Sequence, residues 1–150
     1  MKSHLRSLAA LFFSAALPFS AFGADATPQE TFAAFQESCV AKDVTKARAF
    51  LEGTEEEIGR LKNELENMPA EMVATVKAAK VVDSKIDGEA AIAVVEMMKK
   101  GAPEYSDWYF VLRDGKWKIV RTPDKIPADK AEALRTWARE RRTALQPAPK

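Results

Sequence analysis

Along residues 107–120, Asp-Trp-Tyr-Phe-Val-Leu-Arg-Asp-Gly-Lys-Trp-Lys-Ile-Val, two runs rich in aromatic and β-branched residues flank Asp114-Gly115. Such residues favour strands, and Asp-Gly tolerates the positive φ that a two-residue hairpin turn requires. A tight hairpin follows, pairing Arg113 with Lys116, Leu112 with Trp117, Phe110 with Ile119 and Trp108 with Arg121. Trp108, Phe110, Leu112, Trp117 and Ile119 then share an apolar face, while Asp107, Tyr109, Val111, Lys118 and Val120 occupy the mixed opposite one. Burying the five large apolar side chains contributes on the order of 10 kcal/mol gross, which a lone hairpin cannot secure, so other elements must cover that face.

Upstream, period two also marks residues 81–86 and 89–98, joined by Asp87-Gly88. A turn there pairs Val82 with Ala93 and Ser84 with Ala91. Val82, Ala91, Ala93, Val95 and Met97 form its apolar face, and Asp83, Lys85, Ile92, Val94, Glu96 and Met98 the mixed one. Residues 99–103, with Gly101 and Pro103, read as a longer connection between two consecutive hairpins.

Before the strands the period is helical. Thr27-Pro28-Gln29-Glu30 has the form of a capping box with proline at the first helical position, and Phe32, Phe35 and Cys39 make one stripe of a helix running to about Lys42. Asp43 caps a short helix with Val44, Ala47 and Leu51 on one face, ended by Gly53. Thr54 opens a third, in which Glu55, Glu56 and Glu57 complement the dipole and Ile58, Leu61, Leu65 and Met68 face inward. Pro69 starts a further piece over residues 70–76. After Thr122-Pro123 the chain leaves the sheet, and Pro127 with Asp129 introduces a last helix to about Leu145, followed by a short tail. The fold class is α+β: N-terminal helices packed on a curved four-stranded antiparallel sheet of two hairpins, plus an extra C-terminal helix.

Composition adds a destination. Residues 1–23 have the form of a secretory signal: Lys2 and Arg6, an apolar run, then Ala21-Phe22-Gly23 with small residues at the −3 and −1 positions. The run is too short to span a bilayer, and Cys39 does not follow a lipoprotein cleavage site, so the expectation is a periplasmic or secreted domain over 24–122, with 123–150 as helix and tail. Loss of Lys2 and Arg6 from 23 basic residues leaves 21 against 22 acidic ones, a balance that gives no reason to expect nucleic acid. One cysteine forms no internal disulfide, and Cys39 reads as a small buried apolar residue.

The helices and the sequence Trp-x-Phe-x-x-x-Asp-Gly-Lys-Trp-Lys-Ile together resemble the nuclear transport factor two-like, cystatin-like α+β cone superfamily. More narrowly they resemble small bacterial envelope domains of unknown function, through residues 32–35, 86–90 and 114–117. The resemblance implies a cone between helices and sheet, frequent homodimerisation through the sheet, and members that are isomerases, cyclases or dehydratases beside non-catalytic binding modules.

Cone chemistry requires a carboxylate or histidine in an apolar pocket. His4 goes with the signal, and Asp83, Glu96 and Asp107 fall on the face away from the aromatic core, so Asp83 and Tyr105 are merely the residues to suspect. The sequence has no metal-ligand cluster, phosphate loop or nucleophile elbow, and no cofactor is expected. The favoured expectation is an exported soluble binding or assembly module; the alternative is a small cone-pocket isomerase or lyase. Tyr109, Val111 and Val120, with Val94 and Met98, suggest a sheet surface for a homodimer. Ala131, Leu134, Ala138 and Leu145 mark one stripe of the last helix, which reads first as a helix packed on its own domain. Trp137, Arg139, Arg141 and Arg142 offer the alternative of a contact with an envelope protein or anionic surface.

Overall fold

The computed structural model describes residues 26–146. The expected signal over 1–23, and residues 147–150 of the expected tail, lie outside the described residues. Five helices and five strands follow in the order α1 (Pro28–Val40), α2 (Val44–Arg48), β1 (Leu51–Glu52), α3 (Glu55–Glu66), α4 (Ala70–Ala78), β2 (Lys80–Asp87), β3 (Ala90–Lys99), β4 (Ala102–Arg113), β5 (Lys116–Val120) and α5 (Ala128–Leu145). Local chemistry sets the starts of α1 and α3. Thr27 with Glu30, and Thr54 with Glu57, form reciprocal capping boxes that satisfy orphan N–H groups.

One sheet has the order β1-β5-β4-β3-β2. Its last four strands are antiparallel, as the alternating pattern required, and β4–β5 pairs Leu112 with Trp117 and Phe110 with Ile119. Trp108 does not pair with Arg121, because β5 ends at Val120 opposite Tyr109. The sheet is mixed, with a fifth strand: Leu51 and Glu52 run parallel to Ile119 and Val120, and the Ile119 N–H donates to the Phe50 carbonyl. Leu51 is therefore a strand residue rather than the end of a helical stripe.

The 99–103 connection is tighter than its composition suggested. Lys100 and Gly101 both take positive φ, so Lys99 pairs directly with Ala102, and Pro103 sits inside β4. In the Asp87-Gly88 turn only Gly88 has positive φ, which puts glycine at the first central position of a type II′ turn over Gly88-Glu89. Ser84 consequently pairs with Ala93, two residues from the expected register. A bulge between Val81 and Asp83 turns Val82 to the same face as Asp83, opposite to its expected side.

Both sheet faces are covered. On one, Phe110, Trp117, Ile119, Ala91, Ala93 and Val95, with half-buried Trp108 and Leu112, pack on Phe32, Phe35, Leu61 and Leu65. On the other, Ile92, Val94, Val111 and Val120 pack beneath Ala131, Leu134 and Ala138 of α5.

Candidate functional site

The face under α1, α3 and α4 is not filled completely. Phe32 and Phe35 come from α1, Leu61 and Leu65 from α3, Val76 from α4 and Met97 and Trp108 from the sheet, together with Met68, and these surround a cleft of about 180 Å³. Their helical spacing sends each apolar stripe inward, and Met97 and Trp108 meet those stripes from the sheet. Trp108 is the main wall. Its ring meets Phe32 edge-on at 5.0 Å and Phe35 at 6.0 Å, and its Nε1 donates to Ser106 Oγ at 3.2 Å.

Few polar groups reach the cleft. Gln36 is committed: its amide donates to the carbonyls of Val76 and Ala79 at 2.6 and 2.7 Å, pinning the end of α4. Arg121 grips Glu64 through two contacts, Nη2 to Oε2 at 2.8 Å and Nη1 to Oε1 at 3.3 Å. Cys39 is buried, and burial pushes its thiol up to about 11, against a smaller lowering by Arg121, so it stays protonated at neutral pH. A groove of about 340 Å³ adjoins the cleft and shares Phe35, Trp108, Glu64 and Arg121 with it.

The residues singled out in the sequence for catalysis or for a partner surface lie elsewhere. Tyr109, Val111 and Val120 are not an open surface: α5 packs on that face, leaving Val111 and Val120 buried and Tyr109 half-buried. The homodimer expectation thus loses the face on which it stood, because a helix of the same chain satisfies the same apolar residues. Two of the arginines are likewise engaged internally. Arg141 Nε lies 2.7 Å from Asp83 Oδ2, though its N–H does not point along the contact, and Arg142 Nη1 lies 3.4 Å from Asp107 Oδ2. Trp137 packs against the second core, while Arg139 remains exposed.

The suspected pair does not form a site. Asp83 binds Arg141, and Tyr105 donates to Glu96 Oε2 at 3.0 Å, where Glu96 also meets Lys80 at 2.9 Å. That hydrogen bond raises the Tyr105 pKa, and the Lys80 contact followed by Tyr105 holds Glu96 low. Asp107 has its pKa raised by burial, against a smaller lowering by Arg142, and its Oδ1 is buried without a hydrogen-bond partner. Among the described residues no group of three or more His, Cys, Asp or Glu side chains is placed to hold a metal ion, and no helix is long and apolar enough to cross a membrane.

Sequence reasoning missed the rim pair Arg121–Glu64. One signal was present: the hairpin register carried Arg121 to the level of Trp108. Glu64 has no comparable mark, since it sits on an otherwise solvated helix flank.

No protein-family model matches the chain, and no curated protein matches it. Among solved structures it is similar to a "Putative NTF2-like transpeptidase" from Campylobacter jejuni, 14% identical with a TM-score of 0.42, over 64% of this chain and 100% of that one. It is also similar to an "NTF2-like protein of unknown function" from Cytophaga hutchinsonii, 12% identical with a TM-score of 0.39, over 67% of this chain and 94% of that one.

Proposed function

We propose that this chain is an exported binding module that holds a small, largely apolar molecule in the cleft between the N-terminal helices and the sheet. The observation that carries the reading is the apolar lining of this unfilled cleft. A space of about 180 Å³ persists among Phe32, Phe35, Leu61, Leu65, Val76, Met97 and Trp108 with an almost wholly apolar lining, whereas the space of similar size at the edge of the α5 face is ringed by Glu89, Arg113, Lys125 and Lys130. Apolar walls left facing such a space forfeit dispersion contacts that a guest of matching shape restores. An apolar cavity of roughly 150 Å³ accepts a benzene-sized guest, which sets the scale of the ligand.

Export rests on the basic start, apolar run and Ala21-Phe22-Gly23 of the N-terminus. The superfamily reading rests on the order of helices and hairpins and on the Asp-Gly-Lys-Trp strand. An isomerase or lyase has less support: Asp83 and Tyr105, the residues suspected for it, are engaged on the α5 side of the sheet, away from the cleft.

Native mass spectrometry of the chain purified gently from its envelope fraction tests the reading, with the denatured sample as reference. A small molecule retained only in the native spectrum, and lost in Val76→Phe, is the expected result. A clean mass in wild type, combined with no uptake of added indole, overturns it.

A further inference from the structure

The Arg121–Glu64 pair occupies a particular place: both residues line the apolar cleft and also the adjoining groove, at the seam where Phe35 and Trp108 are shared. A ligand spanning that seam meets a guanidinium already engaged in a two-point grip on a carboxylate. Such a planar fork matches a carboxylate better than any neutral group.

Glu64 is an exchangeable partner. Its side chain is 54% exposed and that of Arg121 35%, so their pairing is screened by water and contributes little net stability. Swapping one carboxylate for another on Arg121 therefore costs little, while the body of the incoming molecule gains burial against Phe32, Leu65, Met97 and Trp108. The other acid at the groove, Asp107, is engaged with Arg142 of α5 and does not compete for Arg121. Arg121 also acts on the buried thiol of Cys39, which places its charge beside the cleft interior.

We infer that the ligand of the cleft is a small apolar carboxylate, about the size of a single aromatic ring, whose acid group takes the place of Glu64 on Arg121. The inference rests on the reading of the cleft as a small-molecule site and adds the chemical class. A lone guanidinium at the edge of an apolar space fixes one end of the ligand and leaves the other to shape.

Isothermal titration of the full chain with phenylacetate and with 2-phenylethanol separates the two levels. The acid is expected to bind about two- to fivefold tighter than the alcohol, the scale of a partly exposed ion pair. Arg121→Gln should erase that ratio while leaving the alcohol unchanged, and Glu64→Gln should strengthen the acid alone by removing its competitor. Equal affinity for acid and alcohol in wild type overturns the inference and leaves the small-molecule reading standing. Binding of neither overturns both. Weaker acid binding in Glu64→Gln also defeats the exchange, since it makes Glu64 a supporting residue rather than a competitor.

Discussion

The two faces of the sheet begin from similar material and end differently. On the α5 face, Ile92, Val94, Val111 and Val120 meet Leu134 and Ala138 with essentially no exposure, and Arg141, Arg142 and Lys130 tie the helix to Asp83, Asp107 and Asp87 at the rim. Opposite, larger side chains are drawn from three separate helices and leave about 180 Å³ open. One long helix lays Ala131, Leu134 and Ala138 along branched side chains of the sheet and leaves both sides of that contact buried. On the other side α1, α3 and α4 each supply one wall, and the cleft lies where those walls meet Met97 and Trp108. On the reading proposed above, the cleft side adds a binding space to the core that both faces supply.

Truncation tests this contrast most strongly. Leu134→Ala should lower stability by about 3 kcal/mol, since a fully buried leucine leaves a cavity that α5 cannot close. Val76→Ala, on the half-exposed wall of the cleft, should cost about 1 kcal/mol or less. Urea midpoints at constant m-value measure both. Equal losses would mean that the two faces are packed alike.

Enlargement gives the reverse test with a somewhat smaller effect. Val94→Phe forces a ring into a full layer and should cost about 1 to 3 kcal/mol. Val76→Phe has the cleft to enter and should stay within about 1 kcal/mol of wild type. A large penalty at Val76 would show that the space is not available to side chains.

Much of the helix-covered face was legible from the chain. Two-residue turns and period-two patterning put Trp108, Phe110, Leu112, Trp117 and Ile119 together, and Thr27 and Thr54 marked the helix starts. The other face was misread for a physical reason. An apolar strand face states only that something covers it, and Ala131, Leu134 and Ala138 of the same chain carry the complementary stripe. Backbone geometry at single residues was hidden as well: Lys100 in the left-handed region and the bulge at Val82 have no side-chain signature. The cleft was the least legible feature, because empty space belongs to the angles between helices and not to any residue type.

The ion pairs fastening α5 should matter less than its apolar stripe. In a double-mutant cycle, Arg141→Ala with Asp83→Ala should return a coupling of about 0.2 to 1 kcal/mol, the range of partly exposed pairs. A coupling far above that range would make charge, rather than Leu134, the principal restraint on the helix.

The smallest expected effect concerns Asp107, and its sign separates burial from pairing. Burial raises the carboxyl pKa above its ordinary 3.8, while Arg142 only partly opposes it. The folded chain therefore holds this proton to higher pH than the unfolded chain does, so this group's contribution falls as pH rises from the unfolded value through the folded one, and stays lower above it. Asp107→Asn lacks the titration but keeps the shape. Urea midpoints of both proteins at about pH 3 and about pH 7 isolate the effect, because every other group is common to the two. The difference should move in favour of the asparagine variant at the higher pH. Movement towards wild type would mean that Arg142 lowers the Asp107 pKa more than burial raises it, and that the α5 face is fastened by charge at the one place where its packing leaves a carboxylate oxygen unpartnered.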